Sequence, residues 1–181
     1  MFGLAAKWKK NQPDRLSRLA KSIEAIGEHD RKLVDESAHV DRLRAQGAAD
    51  LHEICRKFVE KINAKLSDPA VLLDPPAFST EQYNDSGPNL FQINLRGRLL
   101  QLEFEATEEL YSRDDFRQPY VLRGTVRSFN QDLLDQHGVD EQMIFYCPGA
   151  GGAAWYFLDG RTYRSGGVSE DYLISEMEQL L

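Results

Sequence analysis

The stretch Phe91-Gln92-Ile93-Asn94-Leu95-Arg96-Gly97-Arg98-Leu99-Leu100-Gln101-Leu102-Glu103-Phe104-Glu105 decides the fold class. Phe91, Ile93 and Leu95 alternate with Gln92, Asn94 and Arg96. Leu100, Leu102 and Phe104 alternate with Gln101, Glu103 and Glu105. A period of two puts one set on one face of a strand and the other set on the opposite face. Arg96-Gly97-Arg98 between the runs predicts a tight turn. The stretch therefore reads as an antiparallel hairpin with one buried and one wet face.

Downstream the strand signals continue. Tyr120 to Phe129 predicts a third strand, with Tyr120, Leu122 and Val126 on one face and Arg123, Thr125 and Arg127 on the other. Met143 to Cys147 and Ala154 to Leu158 predict two more. Asp159-Gly160 signals a turn into a sixth strand at Arg161–Arg164, and Gly166-Gly167 ends the sheet region. Ser169 is placed to cap a final helix with Glu170 and Asp171 in its first turn. That helix carries Tyr172, Leu173, Met177, Leu180 and Leu181.

Upstream, residues 68–88 read as a linker, because Asp74-Pro75-Pro76 and Asp85-Ser86-Gly87-Pro88 are breaker clusters. Residues 13–67 read as helix. Steps of three and four from Leu16 reach Leu19, Ile23, Ile26, Asp30, Leu33, Ser37, Val40, Arg44, Gly47, Leu51, Ile54 and Phe58. Such a sustained period keeps one helix face in register and is the coiled-coil signature. Asp30, Ser37 and Arg44 interrupt it with polar side chains, and Gly27 and Gly47 each weaken a helix by about 1 kcal/mol relative to Ala. Two arrangements fit: one long helix pairing with another chain, or shorter helices that break near a glycine and fold back. Residues 1–12 read as a basic, flexible terminus. The expected class is α+β: a long N-terminal helical arm, an antiparallel sheet of about six strands (89–181) and a C-terminal helix.

Charge narrows the function classes. The net charge of −7 argues against a generic nucleic-acid binder, since phosphates need a basic surface. Residues 1–24 nevertheless carry Lys7, Lys9, Lys10, Arg15, Arg18 and Lys21 against Asp14 and Glu24, net +4, which leaves −11 for the rest (−7 minus +4). Cys55 and Cys147 make no disulfide framework and fit a reducing compartment. The N-terminus lacks the basic-then-apolar order of a secretory signal, and no apolar run approaches a membrane span. A cytoplasmic location is expected.

Candidate sites are few. Cys147-Pro148-Gly149-Ala150-Gly151-Gly152 reads either as a hairpin loop or as a backbone cradle for an anion, with Cys147 a nucleophile if a base lies near and Arg161 or Arg164 as anion contacts. It lacks the Gly-Lys-Ser/Thr of a phosphate loop. Among the histidines His29, His39, His52 and His137, His52 shares a helix face with Cys55, but no second Cys/His pair completes a zinc site, and a surface or interface role is expected. Glu103 and Glu105 opposite Arg123 and Arg127 read as cross-strand ion pairs rather than as acid and base. Phe2, Leu4 and Trp8 beside Lys7, Lys9 and Lys10 offer a contact to nucleic acid or to an anionic surface, a frayed terminus being the plainer reading. Trp155 with Phe157, and Tyr156 with Leu158, make both sheet faces apolar, so both need a cover.

These signals predict a non-enzymatic protein–protein interaction module. Leu16, Leu19, Ile23, Ile26, Leu33 and Val40 form its partner-binding seam, and Trp155 and Tyr156 form a second surface. A homo-oligomer or a protein partner is expected, and no cofactor or metal. The rival readings are a small-molecule or nucleotide site, possibly an enzyme, at Cys147, Gly149, Gly151, Gly152 and Arg161, and a nucleic-acid accessory role using Arg96, Arg98, Arg123 and Arg127.

Overall fold

The computed structural model describes residues 3–133 and 138–181, with side chains from Asp14 onward other than that of Leu133. The chain divides into two compact units, Met1–His39 and Val40–Leu181. Helix α1 (Gly3–Lys65) passes through both and is continuous at Gly27 and Gly47. The helix is single and does not break into shorter helices at either glycine. Residues 3–12, expected as a flexible terminus, are the first turns of α1.

In the first unit the helix is held by its own backbone and by short-range contacts. Lys32 pairs with Glu28 at 3.1 Å, one turn away, and the Ser22 hydroxyl donates to the Arg18 carbonyl. Such contacts contribute only tenths of a kcal/mol each.

The second unit is a seven-stranded antiparallel sheet with its strands in sequence order. These are β1 (Val71–Asp74), β2 (Asn89–Leu95), β3 (Arg98–Ala106), β4 (Leu122–Asn130), β5 (Asp140–Cys147), β6 (Ala154–Leu158) and β7 (Ser165–Gly167). Helix α2 (Glu170–Glu178) follows, with the Tyr172 amide donating to the Ser169 hydroxyl as its cap. The β2–β3 hairpin closes through Arg96 (φ 50°) and Gly97 (φ 86°), a turn whose twist matches the strands it joins.

Two strand positions differ from the expectation. An extra strand, β1, lies inside the stretch read as a linker. Asn63 near the end of α1 fixes it: its side chain donates to the Val71 carbonyl (2.8 Å) and accepts from the Ala70 and Val71 amides. The last strand is Ser165–Gly167 rather than Arg161–Arg164. The Asp159 carboxylate accepts from the Arg161 amide and the Thr162 hydroxyl, which ties 159–164 into a loop.

One sheet face carries Phe91, Ile93, Leu100, Leu102, Phe104 and Trp155. Against it pack Val40, Ala48, Leu51, Cys55 and Phe58 from α1, and Leu173 and Met177 from α2. Phe116, Tyr120, Phe145 and Cys147 form a smaller cluster apart from this core. Tyr120 departs from the expected alternation. Val121 pairs its amide with the Tyr146 carbonyl before β4 begins, so Tyr120 belongs to the second cluster while Leu122 and Val126 belong to the first. Among the described residues no helix is long and apolar enough to cross a membrane.

Candidate functional site

The seam residues divide between the two units. Leu16, Leu19, Ile23, Ile26 and Leu33 are 47–66% exposed, and neighbouring Val34 is 67% exposed. Val40, with 0% exposure, belongs to the core of the second unit, as do Leu51 and Phe58. Val40 is thus a packing residue and not part of an open partner-binding seam. Of the three polar interruptions, Asp30 and Arg44 also separate, and Ser37 is half-buried. Asp30 is exposed. Arg44 is buried, and its guanidinium donates to the carbonyls of Val121 (3.2 Å), Thr107 (2.9 Å) and Glu109 (3.1 Å). Asp41 and Asp85 stand 3.7 and 3.9 Å from it. This cation therefore anchors α1 to the loop between β3 and β4.

Of the second surface expected at Trp155 and Tyr156, Trp155 is covered and Tyr156 partly so. Trp155 is buried, and its indole N–H donates to the Gly47 carbonyl at 2.7 Å. A Cβ on Gly47 would stand 2.6 Å from the Tyr146 ring, so the helix approaches the sheet there because glycine leaves room. Tyr156 is half-buried beside Phe116, whose ring stacks on Phe145 at 4.8 Å. The helices cover one apolar face, and Phe116 from the β3–β4 loop covers part of the other.

The glycine loop and its supposed anion contact lie apart. Gly149, Gly151 and Gly152 are exposed in the hairpin between β5 and β6, where the Gly152 amide donates to the Gly149 carbonyl. Gly152 has φ 110°, which explains the residue there. Arg161 sits past the other end of β6, paired with Asp140. The length of β6 separates them, about 17 Å. Cys147 is buried, and burial pushes its thiol up to about 12, so it carries no thiolate at neutral pH. The elements of an anion or nucleophile site are not brought together.

His52 is neither a surface nor an interface residue. It is buried, with Nε2 2.8 Å from the Pro75 carbonyl and its ring stacked on Phe78. Its neighbour Cys55 is buried and its thiol is likewise raised to about 12. No group of three or more His, Cys, Asp or Glu among the described residues is arranged to hold a metal ion. His137 lies outside the described residues, as do the side chains of Phe2, Leu4, Lys7, Trp8, Lys9 and Lys10.

On the charged sheet face, Arg123 pairs with Glu105 at 3.2 Å, and Arg127 pairs with Glu141 at 2.8 Å and Glu103 at 3.7 Å. Each arginine is matched by a carboxylate, as the cross-strand reading expects. Arg98 donates to the Leu180 carbonyl, which secures the end of the chain after α2. Arg123, Arg127 and Arg98 thus have partners within the fold, and Arg96 is exposed in the β2–β3 turn.

Two features escaped the sequence reading. An apolar groove of about 280 Å³ is lined by Phe58, Ile62, Leu66, Val71, Ile174 and Leu181. Its walls come from α1, β1 and the C-terminal segment, so no local pattern signals it. Glu176 on α2 is buried and accepts from the Gln142 amide at 2.8 Å, while Tyr172 donates to the same Gln142. Burial raises the Glu176 carboxyl above the ordinary range. It lies where α2 turns toward the sheet, and a helix-period count that admits charged residues would have placed it there.

Among the predicted site residues, Leu16, Leu19, Ile23, Ile26 and Leu33 are exposed in the first unit and Gly149, Gly151 and Gly152 in the second. The chain matches no protein-family model, no curated protein and no solved structure.

Proposed function

We propose that this protein is a non-enzymatic assembly module that engages another helix through residues 16–33 of α1. The observation that carries this reading is the exposure of Leu16, Leu19, Ile23, Ile26 and Leu33, spaced by threes and fours with Asp30 as the one polar break among them. A stripe confined to these positions is the narrow seam of a coiled coil. Single exposed apolar residues are ordinary, but a regular row of them marks an interaction surface. Burying a leucine or isoleucine contributes roughly 1.5–3 kcal/mol. Asp30 lowers the affinity of the seam and restricts its register.

The test is light scattering and circular dichroism on the full-length chain beside the double variant Leu19→Glu, Ile26→Glu. The wild type is expected to form a defined oligomer whose mass and helicity fall together on substitution, because an unpaired helix is marginal in water. Equal mass and helicity for the two proteins at every concentration would defeat the reading.

A further inference from the structure

We infer that the occupant of the 16–33 seam is a second copy of this chain, running antiparallel, with Ile23 of each copy against Ile26 of the other. The inference rests on the assembly reading above and specifies its partner. In heptad notation Leu16, Ile23, Asp30 and Ser37 take a positions, and Leu19, Ile26 and Leu33 take d positions. In an antiparallel pair a layers face d layers. Leu16 then meets the partner's Leu33, Ile23 meets the partner's Ile26, and Asp30 meets the partner's Leu19, each pair occurring twice by symmetry.

Asp30 decides against the parallel alternative. There a faces a, so the two Asp30 carboxylates stand side by side in the middle of the seam with Ser37 against Ser37. Like charges brought together out of water oppose association. The antiparallel pair separates the two carboxylates and sets each beside the partner's Arg15 and Ser22, both able to donate to it.

The flanks agree. The g positions are Arg15, Ser22, His29 and Glu36, and the e positions are Ala20, Gly27 and Val34, with Asp41 next. Antiparallel helices bring g against g, which joins Arg15 to the partner's Glu36 and Ser22 to the partner's His29. Parallel helices bring g against e, and the one pair then charged on both sides is Glu36 with Asp41, which repels. Along the helix, residues 14–22 carry Arg15, Arg18 and Lys21 against Asp14 (3 − 1 = +2). Residues 28–36 carry Arg31 and Lys32 against Glu28, Asp30, Asp35 and Glu36 (2 − 4 = −2). Antiparallel pairing lays the positive stretch on the negative one. On the e flank Ala20 and Gly27 are small, and a Cβ at Gly27 would have nothing within 4 Å, so a second helix can come close there.

The experiment uses the full-length chain with Leu16→Cys and Leu33→Cys made singly. Both positions are exposed, while the natural Cys55 and Cys147 are buried. Mild oxidation of the two variants mixed is expected to give a disulfide-linked dimer. Each variant alone is expected to give about tenfold less, because like positions lie about 25 Å apart along the antiparallel pair. Arg15→Glu is expected to weaken the wild-type dimer about three- to tenfold, and adding Glu36→Arg to restore it. Self-linking of Leu16→Cys would overturn the antiparallel orientation and leave the assembly reading standing. Mixed linking without rescue by the charge swap would overturn the Arg15–Glu36 pairing. A monomeric mass at every concentration would overturn both this inference and the reading beneath it.

Discussion

Residues 16–33 and residues 40–59 of α1 continue one spacing of threes and fours. Yet Leu16, Leu19, Ile23, Ile26 and Leu33 are exposed, whereas Val40, Leu51, Cys55, Phe58 and Val59 are buried. The two stretches differ in width. From residue 48 onward the buried set includes Ala48, Leu51, His52, Cys55, Phe58 and Val59, recurring at intervals of three, four and seven. That broad stripe suits a sheet. In the first stretch Asp30 breaks the row and charged residues close in on it. The period of a pattern says which face of a helix is apolar, and the width of the stripe says what kind of surface covers it.

The largest test of this contrast removes one leucine from each stretch. Leu51→Ala opens a cavity under the sheet and is expected to cost about 2–5 kcal/mol in urea denaturation, whereas Leu19→Ala at concentrations low enough to prevent association should cost under about 0.5 kcal/mol. Comparable losses at the two sites would erase the distinction. Next come the polar interruptions. Arg44→Met leaves the Thr107 carbonyl without its donor and takes one donor from those of Val121 and Glu109, which keep bonds from Thr107, and is expected to cost about 1–3 kcal/mol. Asp30→Leu should leave the thermal midpoint of the second unit unchanged and strengthen association instead.

The glycines give a smaller effect of opposite sign. Gly47→Ala drives a methyl into the Tyr146 ring and Leu122 and is expected to lose about 1–3 kcal/mol despite the better helix former. Gly27→Ala meets no atom and should gain about 0.5–1 kcal/mol of local helix stability, read as slower amide exchange around residue 27. The smallest effect concerns the buried carboxyl on α2. Folding raises the Glu176 pKa, so the folded chain holds that proton to higher pH than the unfolded one, and stability is lost as pH rises above the ordinary carboxylate range. Glu176→Gln should therefore melt higher than wild type at pH 7, with the gain vanishing as pH falls to about 4. A gain independent of pH would remove the carboxyl as its cause.

Much of the sheet was legible, because alternation at 91–95 and 100–104 and the Arg96-Gly97 turn are local signals that the strands obey. The Ser169 cap of α2 was legible for the same reason. The four-residue strand β1 was not. It is short, it is flanked by breakers, and it is fixed by Asn63 from a different element. Of the candidate site, the spacing of the apolar residues along α1 was readable, and the point where they pass from exposed to buried was not. That Val40 and Arg44 belong to the core depends on Thr107, Val121 and Trp155, which are far along the chain. Cys147 and Arg161 looked like partners in sequence because strand length, which sets their separation, is invisible to a motif.

The Gly47–Trp155 hydrogen bond joins residues 108 positions apart, and this separation acquires a meaning when the chain is made from one end. Synthesis proceeds at roughly 5–20 residues per second, so the part of α1 destined for the sheet waits on the order of five to twenty seconds for β6. Until then the stretch around Gly47 lacks its cover by Trp155. Glycine, arginine and histidine within the buried stretch make it a poorer coiled-coil partner during that delay, which favours waiting for the sheet over pairing with a neighbouring nascent chain.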